Sequence, residues 1–256
     1  MQNSIESLCK SKQIKLKIVS SEAEALLEKA NVHDFAGITL YAPPNGQDLK
    51  LKKAVKRAFD LFGSIVGLLL LSPLFLLIAL AIKLESRGPI FFRQWRALAQ
   101  GSKRFTFFKF RTMVVDAENQ KNRLYHHNES NGALFKMKDD PRMTKVGRML
   151  RRWSLDEIPQ LFNVLKGEMS LVGPRPLPVE GLERLASEES LGGHYVKRAE
   201  AIPGITGLWQ VSGRSNLGFM EMVLLDLYYI ENQSLILDLE IVFATIPAVL
   251  FGKGAY

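Results

Sequence analysis

From Leu61 to Ile82 the chain runs for 22 residues without a charged side chain. As one straight helix this stretch is about 33 Å long, enough to cross a hydrocarbon core of about 30 Å. A globular helix of that length normally shows a polar face, so the segment is expected in a membrane. Its flanks argue against crossing. Lys50, Lys52, Lys53, Lys56 and Arg57 precede it, and Lys83, Arg87, Arg93 and Arg96 follow. Basic flanks prefer the cytoplasmic side, and here neither end is marked for export. Near the middle, Pro73 removes a backbone hydrogen bond and kinks a helix, while the Ser72 hydroxyl can satisfy a freed carbonyl. The expectation is two half-helices that enter and leave through one leaflet, a re-entrant hairpin in preference to a span.

A net charge of +8 calls for an anionic partner: nucleic acid, anionic lipid or a phosphorylated substrate. Between 83 and 113 aromatic and basic residues interleave around Gln100-Gly101-Ser102, as two short strands or interfacial segments would. Such interleaving also suits single-stranded nucleic acid, but beside a membrane segment anionic headgroups fit better. The 47% hydrophobic content suffices for a core. Cys9, the single cysteine, excludes an intramolecular disulfide and fits a reducing compartment. The first 20 residues are polar and mixed, unlike a secretory signal. The expected fold is mainly α with a few short strands (α+β): an appendage at 1–50, a re-entrant membrane helix at 51–87, and at 88–256 a small catalytic domain with interfacial amphipathic helices. Within the appendage, alternation at 14–18 and 35–41 reads as strands and 21–30 as a helix.

The chemistry concentrates at 148–176. Arg148, Arg151 and Arg152 precede the adjacent acids Asp156 and Glu157, and Gly-Pro-Arg-Pro follows at 173–176. Cations within about 4–6 Å hold a carboxylate ionised, leaving Asp156 available as a nucleophile or hard-metal ligand. Pro174 and Pro176 fix the backbone on either side of Arg175 and aim its donors. A plainer reading stands beside this one: Ser154-x-x-Glu157 is also a capping box ahead of Ile158, Leu161, Phe162 and Leu165. Pro159 counts against it and moves the helix start later. His126 and His127 would point about 100° apart on a helix and read as solvated. Residues 203–214 read as a shaped loop rather than a regular element, 219–233 as an amphipathic helix carrying Asp226, and 241–251 as an interfacial or packed helix. Asp238, between apolar neighbours, calls for an explanation.

Several motifs in order resemble the bacterial sugar transferases, the monotopic polyprenyl-phosphate phosphoglycosyl transferases. They are Lys-Arg-x-Phe-Asp at 56–60, Ser72-Pro73, Lys-Phe-Arg-Thr-Met at 109–113, Ser-Leu-Asp-Glu-x-Pro-Gln-Leu-x-Asn at 154–163, Gly-Pro-Arg-Pro at 173–176 and Pro-Gly-Ile-Thr-Gly at 203–207. The resemblance implies that Asp156 attacks the β-phosphate of a UDP-sugar, releases UMP, and passes the phosphosugar to polyprenyl phosphate, with Glu157 as partner and Mg²⁺ ligand. It implies that Arg175, with Pro174 and Pro176, contacts the nucleotide, and that Arg151, Lys109 and Asp238 line the site. It also implies the cytoplasmic face of a bacterial inner membrane, membrane lipids as partners, no nucleic acid, and the first membrane step of surface glycan or exopolysaccharide assembly; homo-oligomerisation is left open. Leu98 departs from the pattern, where the family more often has glycine. Longer members carry an amino-terminal α/β domain whose tail residues 10–50 resemble, and whether this is a natural short form or a truncated larger domain stays open. Two rivals remain: a glycosyltransferase that releases UDP, for which Asp238-Leu239-Glu240 is the only Asp-x-Asp-like triplet, and a non-enzymatic lipid tether, which leaves the acid pair unexplained.

Overall fold

The computed structural model describes residues 46–98, 103–121, 124, 126, 137, 139–179, 182, 198, 201–213 and 217–250. All of them fall within one compact unit, Thr39–Tyr256. The expected strands and helix at 14–41, His127 and Arg214 lie outside the described residues.

Helix α1, Gly46–Glu85, contains the whole charge-free run and is long and apolar enough to cross a membrane by length and composition. It continues through Pro73. The carbonyl that loses its donor at Pro73 is that of Leu69, four residues back, and the Ser72 hydroxyl donates to it at 2.8 Å. One face buries Asp60, Ser64, Ile78 and Ile82, and the opposite face exposes Phe62, Ile65, Leu69, Leu76, Leu80 and Leu84. The three- and four-residue spacing makes each set a stripe. So the helix is not apolar all round: its inner face carries polar groups that meet polar partners in the domain.

Strands β1 (Phe91–Ala97) and β2 (Phe105–Phe110) form the expected antiparallel pair, in the register Phe91↔Phe110 to Arg96↔Phe105, and β4 (Leu177–Pro178) joins the other edge of β1. Alternation along β2 sends Phe110 to the α1 side, where it packs with Phe75, Ile78, Ile82 and Leu150, and sends Lys109 to the other side. Arg111 then donates to the carbonyls of Ser86 and Arg87, fastening the end of α1. A short helix α2 (Ala117–Lys121) leads on to α3 (Lys145–Arg152), which Thr144 caps through Gly147 N. The Glu85 carboxylate accepts from the first amides of α3, Lys145 and Val146.

A 3₁₀ turn at Leu155–Glu157 precedes α4 (Gln160–Lys166), which ends at Gly167 with φ 79°. Strand β3 (Ser170–Val172) runs parallel to β5 (Gly204–Thr206), and short helix α5 (Leu208–Ser212) follows. This corrects the reading of 203–214 as an irregular loop. The glycines there serve close backbone approach: a Cβ on Gly204 would sit 2.1 Å from Gly173 N. Helices α6 (Phe219–Asn232) and α7 (Leu235–Leu250) complete the described fold. Helix α7 merges two segments read separately and exposes Ile236, Leu239, Phe243 and Ile246 along one side.

Candidate active site

The acids are presented by a turn that starts at Ser154, whose φ of 53° is the left-handed conformation and is rare for a residue with a Cβ. Its side chain makes no capping bond. The capping-box reading is therefore corrected: the Glu157 carboxylate turns away from the helix start, and α4 begins only at Gln160, with Pro159 in the N-cap position where its missing N–H is harmless.

Glu157 and Asp156 meet one lysine. Lys109 Nζ lies 2.6 Å from Glu157 Oε1 and 3.1 Å from Asp156 Oδ2. Arg175 approaches from the Gly-Pro-Arg-Pro loop, its Nη1 donating to Glu157 Oε2 at 3.1 Å and its Nη2 to Oε1. Burial alone pushes the Glu157 carboxyl up, but the charges of Arg175 and Lys109 outweigh it and hold Glu157 well below the usual carboxylate range. Glu157 thus stays ionised beside Asp156, with the Lys109 ammonium between the two carboxyl groups.

The loop that carries Arg175 is pinned throughout. Gly173 N donates to the Thr206 carbonyl and Gly204 N to that of Pro174, both at 2.9 Å. Arg96 Nη1 reaches the Pro176 carbonyl at 3.1 Å. Pro174 and Pro176 are buried and shape the backbone on either side of Arg175.

Two expected site residues are placed differently. Arg151 donates from Nε to Thr112 Oγ1 at 3.1 Å, and Arg152 lies over the Trp153 ring. The cation that pairs with Asp156 is Lys109. Asp238 is fully buried on α7, where Lys56 Nζ lies 2.9 Å away and Tyr229 donates its hydroxyl at 2.6 Å. A carboxylate with no exposure cannot touch a substrate, so Asp238 is an anchor beneath the loop. Lys56 also donates to the Val172 carbonyl, and Asp60 accepts from Ser170 Oγ and Leu171 N. Arg57 donates to the carbonyls of Val164 and Leu165 at the end of α4. In the folded protein these cations of the basic flank face protein rather than headgroups.

Sequence reasoning missed Arg96, Arg198 and the anchoring role of Lys56. The motif at 56–60 and the cation at Arg96 were visible, but nothing local tells which distant carbonyl a cation will meet. Gln160 was quoted only as part of a motif. It is fully buried one turn past Asp156, and neither amide atom has a partner among the described residues.

The family described as bacterial sugar transferase matches residues 51–252. The exopolysaccharide production protein ExoY of Sinorhizobium fredii is 43% identical over 208 residues, covering 78% of this chain and 88% of its own. The galactosyl transferase CpsE of Streptococcus agalactiae is 44% identical over 201 residues, covering 78% of this chain and 43% of its own. The undecaprenyl-phosphate galactose phosphotransferase of Salmonella typhimurium is 41% identical over 206 residues, covering 79% and 42%. The chain therefore spans most of the first relative and less than half of the other two.

Proposed function

The chain belongs to the bacterial sugar transferase family, and on that premise we propose that this transferase moves a sugar 1-phosphate from a UDP-sugar to polyprenyl phosphate at a membrane surface. The observation that carries the reading is the adjacent acid pair on which Lys109 and Arg175 converge. In the first step an Asp156 carboxylate oxygen bonds to the β-phosphorus of the donor. The bond from that phosphorus to the bridging oxygen breaks, and UMP leaves with the electron pair. In the second step an oxygen of polyprenyl phosphate bonds to the same phosphorus and displaces Asp156 as the free carboxylate. A covalent intermediate lets a soluble donor and a lipid acceptor use one site in turn. Lys109 neutralises both acids as the anionic donor arrives, and Arg175, aimed by its loop, is placed for the diphosphate oxygens.

The acid pair also suits Mg²⁺ in ligand type. Among the described residues no three acids, histidines or cysteines converge, so the ion would take one or two carboxylate oxygens, foremost from Glu157, and draw its other ligands from phosphate and water. Bound there, it would neutralise charge developing on the leaving phosphate.

The ties of α1 to the domain support a membrane placement. Arg57 near one end binds α4, and Glu85 at the other caps α3, within the same compact unit. Along a straight helix those residues are about 42 Å apart. A spanning helix would carry one of these contacts to the far side, so their coexistence supports a one-sided, re-entrant seat with the exposed leucine stripe in the membrane and the catalytic residues on the cytoplasmic face. Single cysteines at Lys53 and Arg87, in a chain with Cys9 replaced, should label from the same face; labelling from opposite faces would sink this placement.

The reaction is tested by mixing the membrane-reconstituted protein with labelled UDP-sugars in the absence of lipid acceptor. A phosphosugar adduct on Asp156 with release of UMP is expected, and chelation of divalent ions should stop it. Release of UDP would mean that only the sugar moves. A UMP release that strictly requires the lipid phosphate, with no adduct on rapid quenching, would replace the covalent route by direct transfer.

A further inference from the structure

Behind the site lies an ion pair with almost no exposure, Arg198 with Asp226 of α6, its Nη2 and Oδ2 2.7 Å apart. Arg198 spends its donors on backbone: Nη2 gives to the Arg175 carbonyl at 2.8 Å and Nη1 to that of Leu98, just past β1, at 3.1 Å. One planar guanidinium thus joins the end of the β1/β2 hairpin, which delivers Lys109, to the loop that delivers Arg175. Lys109 and Arg175 converge on the same carboxylate, Glu157. Neither Arg198 nor Asp226 is exposed enough to reach a substrate.

We infer that Arg198, held by Asp226, is a positioning residue: it fixes the main chain of Arg175 relative to β1, so that Arg175 and Lys109 stay aimed at one point. A buried charge pair is an expensive way to fill a core, since apolar residues of similar volume often do it as stably or better. Arginine suits the task because its rigid fork serves two carbonyls and a carboxylate at once, whereas lysine is a point donor. A displacement of about 1 Å in a site of this kind costs roughly 100-fold in rate. This inference rests on the transfer reaction proposed above.

The test is a double-mutant cycle on UMP release. R198K keeps a charge for Asp226 but loses the fork, and it should lower kcat/KM by about 10- to 100-fold. Placed in an R175A background, R198K should cost little further, because it acts through Arg175. An equal loss in both backgrounds would overturn the inference. Should R198K misfold, R198M/D226L removes both charges and leaves none stranded. That variant should stay folded, its loss of stability limited to the two carbonyls that lose a donor, and still lose activity; full activity would overturn the inference. If wild-type protein releases no UMP at all, the reaction is at fault rather than the role of Arg198.

Discussion

The molecule contains two clusters of nearly the same composition. In one, Lys109 bridges Asp156 and Glu157; in the other, Lys56 lies 2.9 Å from Asp238 and 3.6 Å from Asp60. What separates them is where the remaining valences go. Around Lys56 they are closed by groups that cannot leave: the Val172 carbonyl, Tyr229 hydroxyl, Ser170 hydroxyl and Leu171 amide. Around Lys109 the third partner is the Arg175 side chain, which is 22% exposed, and the Glu157 carboxylate is 15% exposed, against 0% for Asp238. A lysine between two acids is a joint when buried groups seal it; when one wall is a partly exposed side chain its partners can change, as the proposed transfer requires.

The sharpest way to break this distinction is Asp156→Asn. It should lower the rate by about three orders of magnitude or more while the thermal midpoint stays close to wild type. The mirror experiment is Lys56→Met, which strands Asp238 in the interior. It should cost about 3–5 kcal/mol of stability in a denaturant titration. If Lys56→Met leaves stability intact and abolishes turnover, the second cluster is part of the reaction and the distinction fails.

Protons separate the clusters by sign. Burial pushes the Asp238 carboxyl up, against the pull of Lys56, so the folded state binds that proton more tightly than the unfolded chain. Its contribution is fully present below the unfolded value near 3.8 and is lost as pH rises through the folded value. Burial raises Asp226 in the same way, to about 6 despite Arg198. Glu157, held low, contributes the opposite way: its stabilisation is present above the unfolded value of 4.5 and disappears as pH falls through its folded value. The unfolding midpoint should therefore rise as pH drops from 7 towards 5, then fall in stronger acid. Asp226→Asn and Asp238→Asn should flatten the rise and Glu157→Gln the fall. A fall that survives Glu157→Gln unchanged would show that another group governs it.

The smallest expected effect tests the sealing of the anchor. Tyr229→Phe removes one hydroxyl that donates to Asp238, and should cost about 1–3 kcal/mol with kcat within a few-fold of wild type.

Legibility in the sequence followed the range of the interaction. The 22-residue charge-free run announced α1, and alternation at 91–110 announced the hairpin, because both patterns are local. The acid pair was visible too, but the residues alone left it between capping box and reaction centre. The left-handed backbone at Ser154, which removes the capping box, has no signature in the local sequence. The three arginines before Asp156 were misleading for a related reason: proximity in sequence put Arg151 forward as its counter-ion, while strand alternation delivers Lys109 from 47 residues away. Residues 203–214 were read as irregular because glycine usually marks a turn, whereas Gly204 is small so that two main chains can touch. Arg198 carried no local signal, since its partners are carbonyls up to 100 residues distant.

Distance along the chain also has a meaning in time. Lys56 finds the Val172 carbonyl 116 residues later, and Arg57 finds that of Val164 after 107. At a synthesis rate of about 5–20 residues per second, Val172 is made roughly 6–23 s after Lys56. For that interval both cations flank a strongly apolar helix with none of those carbonyls yet in existence, and lipid phosphates are the counter-ions at hand. On the membrane placement proposed above, the basic flank would serve two partners in succession, first the bilayer that receives the nascent helix and then the domain that replaces those lipids.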